Sequence, residues 1–204
     1  MDGRAAEMDQ RRWRWWPVGL AVALLLGAGL RLIWVQDMEY KLDEAWTFDR
    51  ARAVGETERF PWVGMLSSVE IRHPGMSIWV FLYLGKLSGT DDPTQLARAC
   101  QLVNIAAILL LVVFALRAVP RAERESWLWA TALVCLNPLA VLMHRKIWPP
   151  SILPLFTMML LVCWWYRDRR WGALAWGLAG AILGQIHPAG FFFAAASRME
   201  SKLS

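Results

Sequence analysis

The stretch LDEAWTFDRARAVGETERFPWVGMLSSVEIRHP, residues 42–74, is a dense polar interruption in a chain built mostly of apolar runs. It opens with the carboxylate pair Asp43 and Glu44 and closes with His73 and Pro74. Apolar runs flanking one polar region are typical of a membrane protein whose chemistry is held in a loop outside the bilayer. The stretch therefore predicts both the fold class and the place of any active site.

The composition of the whole chain agrees with a membrane protein. The 204 residues are 57% apolar and only 19% charged, and they include fourteen Trp. These values exclude a disordered chain and disfavour an ordinary soluble domain. The net charge is +5, but the basic residues lie beside apolar runs. They indicate membrane orientation and contact with membrane lipids, so we expect no nucleic-acid partner.

Five apolar runs are candidate membrane spans because a helix rising 1.5 Å per residue needs about 20 residues to cross the hydrocarbon core. Arg31 lies about one turn from the far end of the first run, where its side chain is expected to reach the headgroups. The fold class predicted is an all-α integral membrane protein with about five transmembrane helices. The runs are residues 17–35, 96–116, 127–143, 151–166 and 171–196.

The long loop between the first two spans, residues 36–95, is predicted to lie at the outer face. Within it, residues 36–73 are too polar to span and are expected to form short amphipathic helices along the interface, with breaks at Gly55 and Pro61. Residues 74–87 are apolar but too short to cross, so an interfacial or re-entrant helix beginning at Pro74 is predicted.

Basic residues set the expected orientation. The clusters in residues 1–16, 117–125 and 167–170 all fall on the cytoplasmic side when the chain crosses five times. The outer loop, the turn 144–150 and the C-terminal end then share the opposite face. The predicted organisation is a cytoplasmic basic tail (1–16), a membrane module (17–196) and a polar tail (197–204).

The candidate site combines the acid pair with the basic turn, and each part has two interpretations. If helical, Asp43 and Glu44 point about 100° apart. They are either a solvated pair or, between apolar neighbours, a partly desolvated carboxylate whose raised pKa suits a base. His73 is either functional or a helix cap beside Pro74. Arg145 and Lys146 are either part of the site or contacts to lipid headgroups.

Several short motifs, in this order and spacing, resemble the C-type (GT-C) membrane glycosyltransferases. The similar branch contains the protein O-mannosyltransferases and the lipid A aminoarabinose transferases, and the resemblance covers residues 17–196. The motifs are Leu42-Asp43-Glu44-Ala45-Trp46-Thr47, His73-Pro74-Gly75, Asn137-Pro138, the basic site at Arg145 and Pro149-Pro150.

The resemblance implies transfer of a sugar from a polyprenyl-phosphate donor to an acceptor hydroxyl, with inversion, at the outer face of a bacterial cytoplasmic membrane. It implies that Asp43 is the catalytic base and that Glu44 assists it. It further implies a phosphate clamp, since cationic groups stabilise a phosphate leaving group. The candidate clamp residues are Arg72, His73, Arg145 and Lys146. Some family members use a divalent cation, which leaves that cofactor open, although the sequence displays no metal-ligand set.

The chain departs from the family pattern at two points. Pro150 stands where the family commonly has an acidic residue, and Ser151 cannot replace a carboxylate. Family members are also more than twice as long, so a truncated chain is expected. The alternative hypothesis is a non-catalytic or degenerate membrane protein that keeps the fold. A transporter is disfavoured because the spans hold almost no ionisable residues near the midplane. The sugar, the acceptor and the oligomeric state stay open.

Overall fold

The computed structural model describes the backbone of residues 3–55, 57–67, 70–89 and 91–200, and the side chains of residues 16–196 with the same internal gaps. The described chain is mostly helical, with one antiparallel ribbon of two short strands. The elements are α1 (Gly3–Leu32), α2 (Leu42–Ala53), β1 (Val63–Leu66), β2 (Arg72–Pro74), α3 (Met76–Ser88), α4 (Pro93–Arg117), α5 (Arg121–Leu136), α6 (Pro138–Met143), a 3₁₀ turn (Pro149–Ile152), α7 (Leu153–Trp165), α8 (Arg170–Ile186) and α9 (Ala189–Glu200).

Helix α4 lies at the centre and packs against α3, α5 and α7, while α1 packs along α5 and α9 folds back onto α8. The main core joins α2 to these helices, because Phe48 and Ala51 are buried in the same cluster as Phe81, Leu96 and Ile152. Burial of apolar side chains is the principal force that fixes one element on another. The helix that carries the acid pair is thus anchored to the bundle.

One helix of the described chain, Pro93–Arg117, is long and apolar enough to cross a membrane, whereas the sequence predicted five spans. Two of the predicted runs are interrupted at a proline. Run 127–143 breaks at Asn137, whose side chain accepts a hydrogen bond from the Ala140 amide at 3.0 Å and starts α6. Run 171–196 breaks at His187, before Pro188. Proline has no amide hydrogen and clashes with the preceding turn, so the helix stops before it.

The prediction of several short amphipathic helices in residues 36–73 is wrong, since α2 is the one helix among the residues described there. The break at Gly55 is confirmed by its φ of 87°. Beyond it the chain forms the β1–β2 ribbon. The helix predicted over residues 74–87 is confirmed as α3, but it begins at Met76 because Pro74 ends β2. The ribbon lies tightly on the start of α3, because a Cβ on Gly64 would come within 2.2 Å of the Ser77 hydroxyl.

The expectation that Arg31 reaches the headgroups is also wrong. Its side chain has 0% exposure in the structure. Its Nε donates to His144 Nδ1 at 3.1 Å, and its Nη1 donates to the carbonyls of Gly27 at 2.8 Å and Cys135 at 2.7 Å. A buried guanidinium needs such acceptors, because leaving it without them is costly. Arg31 therefore ties α1 to α5 and to the turn after α6.

Helix α1 approaches α5 closely at Gly27, where an added Cβ would lie 2.2 Å from Cys135 Sγ and 2.7 Å from its carbonyl oxygen. Gly27→Ala is expected to destabilise the fold by about 1 to 3 kcal/mol through overpacking. Gly29→Ala is the matched control, since a Cβ there meets nothing within 4 Å. It should leave stability unchanged or raise it by up to about 1 kcal/mol through helix propensity. Unfolding curves of the two variants in detergent test this; equal effects would contradict the α1–α5 contact.

Candidate functional site

The first turn of α2 separates the two acids of the predicted pair. Glu44 is buried, and its Oε2 accepts a hydrogen bond from the backbone amide of Lys41 at 3.1 Å. This contact satisfies a donor at the helix start. Asp43 is exposed and points elsewhere, as the 100° offset between neighbours on a helix predicts. Glu44 therefore holds the helix start and Asp43 is the carboxylate available to a ligand.

The turn after α6 brings a lysine to the acid pair, so the predicted proximity of the two regions is confirmed. Lys146 Nζ lies 3.8 Å from Glu44 Oε1 and forms an ion pair with Glu39. A hydrogen bond stabilises the backbone of this turn, because the buried Ser151 hydroxyl donates to the Lys146 carbonyl at 2.7 Å.

A cavity of about 700 Å³ lies between the start of α2 and this turn. We call it the lysine cavity. Asp43 and Glu44 line it together with two ammonium groups, and the Trp148 side chain closes one wall. The lining residues are Glu39, Tyr40, Lys41, Leu42, Asp43, Glu44, Ala45, Lys146 and Trp148.

A second cavity of about 600 Å³, the histidine cavity, shares Asp43 and Trp148 with the first. His73 from β2 stacks on His187 from the break between α8 and α9, with ring centroids 5.4 Å apart and planes 25° apart. His73 Nδ1 is buried without a hydrogen-bond partner. The cavity is lined by Asp43, Met65, Leu66, Ser67, Ile71, His73, Trp148, His187 and Pro188.

The four predicted clamp residues do not converge on one point. Lys146 lines the lysine cavity and His73 the histidine cavity. Arg145 turns toward the end of α1, where its Nη2 donates to the Trp34 carbonyl and, at 3.4 Å, to the Asp37 carbonyl. Arg72 is exposed on β2 and, like Arg145, lines neither cavity. Arg145 acts as a brace between two chain segments.

In the lysine cavity each ammonium group lies beside a carboxylate. Hydrogen bonds from Lys146 and then Lys41 lower the pKa of Glu39 to about 2, and the same contact with Glu39 raises the pKa of Lys41. An ammonium group beside a carboxylate favours the charged form of both. Asp43 is exposed to solvent. Of the two interpretations of this carboxylate, the structure therefore favours the solvated one.

No three His, Cys, Asp or Glu side chains of the described residues are grouped so that they could hold a metal ion. In the lysine cavity, Glu39 and Glu44 both lie against Lys146, and Glu39 also pairs with Lys41. The Lys146 ammonium group thus lies between the carboxylate oxygens that a divalent cation would need as ligands.

Sequence reasoning missed four residues that line the cavities: Glu39, Lys41, Trp148 and His187. The Glu44 carboxylate, at the third position of α2, accepts from the Lys41 amide, and this contact places Lys41 at the start of the helix. His187 ends helix α8, directly before Pro188. Nothing local in the sequence indicates that it meets His73, because that contact joins segments more than a hundred residues apart.

Comparison of the chain with protein-family models, with curated protein sequences and with solved structures finds no match.

Proposed function

We propose that the chain is a polytopic membrane glycosyltransferase, or a portion of one, that transfers a sugar from a polyprenyl-phosphate donor to an acceptor hydroxyl. The observation that carries this proposal is the position of Asp43, an exposed carboxylate shared by two cavities, one of which Lys146 also lines. A base and a cation at one site are what a displacement from a phosphate leaving group requires.

In the proposed reaction the acceptor hydroxyl attacks the anomeric carbon of the sugar. Its proton moves to the Asp43 carboxylate as the new glycosidic bond forms. The bond from the anomeric carbon to the phosphate oxygen breaks, and the electron pair leaves with polyprenyl phosphate. Lys146 stabilises the charge that develops on that phosphate. A single displacement of this kind inverts the anomeric centre.

Two described features support a multi-pass arrangement. Leu25, Leu133, Leu174 and Phe192 lie on four different helices and are 72–77% exposed. Large apolar side chains at such positions favour contact with lipid over contact with water. Helices α5 and α6 follow one another over residues 121–143 with a single break, a length sufficient for a crossing when taken together.

A non-catalytic membrane protein that keeps the fold is the second candidate, and one observation favours it. The cations that a donor phosphate needs already have protein partners: Lys146 pairs with Glu39, and Arg145 binds main-chain carbonyls. A degenerate relative is expected to fill an unused site in this way.

The test is turnover by the full chain in phosphatidylcholine vesicles loaded with radiolabelled polyprenyl-phosphate monosaccharides, presented one at a time with a cell-envelope extract as acceptor. The proposed function predicts transfer of label to the extract and release of free polyprenyl phosphate with at least one donor. A folded chain, checked by circular dichroism, that releases no polyprenyl phosphate from any donor would support the non-catalytic candidate.

A further inference from the structure

Glu39 is held by two lysines in the lysine cavity. Its Oε1 pairs with Lys41 Nζ and its Oε2 with Lys146 Nζ, so each carboxylate oxygen faces its own ammonium group. Two ammonium groups set on two oxygens of one small anion also suit a phosphate group, which offers further oxygens of the same charge.

The net charge of the lysine cavity disfavours phosphate binding while Glu39 is in place. The charged groups that line it at neutral pH are two lysines and the three carboxylates Glu39, Asp43 and Glu44. One negative charge is left over, which repels an incoming anion. Without Glu39 the lysines balance the remaining acids, and the positive end of the α2 dipole faces the cavity.

We infer that Glu39 occupies the place of a phosphate group in the lysine cavity, and that Lys41 and Lys146 bind that phosphate once Glu39 has swung out. The inference rests on the proposed function for the identity of the phosphate, which would be that of the lipid-linked donor or product. It adds Lys41 to the binding residues and makes Glu39 a built-in competitor of the ligand.

Glu39 is suited to leave, whereas Glu44 is not. The side chains of Glu39 and Lys41 are 35% and 73% exposed, and ion pairs that water can reach are weak. Glu44 is buried and fixed by the Lys41 amide, so it stays. The pKa of Glu39 is about 2, so this carboxylate remains charged at neutral pH. Displacement by a competing anion, and not protonation, must therefore open the site.

The test is phosphate binding to Glu39→Gln. Farnesyl phosphate is titrated by calorimetry into the full chain held in phosphatidylcholine nanodiscs. Removing one partly exposed opposing charge is expected to tighten binding by up to about fivefold. Glu58→Gln is the matched control, because Glu58 is a similarly exposed glutamate paired with Arg50 outside the cavity. It should leave the affinity unchanged. Adding Lys41→Gln to Glu39→Gln should abolish the gain.

A second titration with inorganic phosphate separates the two sources of the ligand. A gain for both probes supports a site for the phosphate group alone, and a gain for farnesyl phosphate only supports a site for a lipid phosphate. Equal affinities of the wild type, Glu39→Gln and Glu39→Ala for both probes would overturn the inference. Binding is read without turnover, so tighter binding by a chain that transfers no sugar would contradict the proposed function and leave the inference standing.

Discussion

Asp43→Asn is expected to lower the rate of sugar transfer by about 10³-fold, within the range of 10²- to 10⁴-fold that a positioned base contributes. The amide has nearly the shape of the carboxylate but cannot accept the proton of the acceptor hydroxyl. Because Asp43 is exposed and its side chain takes no part in the helix start, the variant should fold and insert like the wild type. Release of polyprenyl phosphate from the lipid-linked donor is the measurement.

Asp49→Asn is the control for this loss. Asp49 lies on the same helix, is equally a surface carboxylate, and lines neither cavity. Its replacement should change the rate less than about twofold, as expected of a surface site away from the chemistry. Retention of transfer by Asp43→Asn, or an equal loss in both variants, would remove Asp43 from the role of base.

Arg31→Ala is expected to destabilise the fold by about 3 kcal/mol, the largest stability effect we expect from a single substitution. It removes three hydrogen bonds from a guanidinium with 0% exposure and leaves the His144 ring nitrogen buried without its donor. Arg98→Ala is the control, since Arg98 is exposed on α4 and should matter by no more than about 0.5 kcal/mol. Unfolding by increasing sodium dodecyl sulfate in mixed micelles measures both; equal effects would contradict the buried contact.

His144, at the end of α6, provides the pH dependence of this contact. Burial, and then the charge of Arg31, lowers the pKa of His144 to about 4. In the unfolded chain His144 is protonated below about pH 6.5, whereas in the folded chain it is protonated only below about pH 4. The free energy of unfolding therefore falls as the pH drops through that window. Between pH 7 and pH 5 the loss should be about 2 kcal/mol. His144→Asn keeps an acceptor for Arg31 without titrating, and should flatten this part of the profile.

Much of the helix content followed from sequence, but helix continuity did not. Apolar runs predict helices wherever they occur, and α4 meets its prediction almost over its full length. The runs around Asn137 and His187 each became two helices, because one X-Pro step outweighs the propensity of its neighbours. Arg31 was misjudged for another reason: its acceptors come from α5 and from the turn after α6, which no local pattern reveals.

The proximity of the acid pair to Lys146 was predictable, since two predicted spans separate the two regions and an even number of crossings returns the chain to the same face. The detailed roles were not. The neighbouring basic residues Arg145 and Lys146 have different partners. Arg145 donates to main-chain carbonyls after the end of α1, whereas Lys146 forms an ion pair with Glu39. Likewise, the sequence cannot distinguish the buried acid from the exposed one in the pair Asp43 and Glu44, because burial depends on how α2 docks on the core.

The central claim is that Asp43 and Lys146 lie on the same side of the membrane, and labelling of cysteines at the two positions tests it most directly. Asp43→Cys and Lys146→Cys, each in a chain without its native cysteines, are treated on sealed right-side-out vesicles with a membrane-impermeant thiol reagent. Both are expected to be labelled from outside, while the control Ala122→Cys, in the first turn of α5, is expected to be labelled only after permeabilisation. Labelling of position 43 and position 146 from opposite sides of the membrane would contradict the central claim.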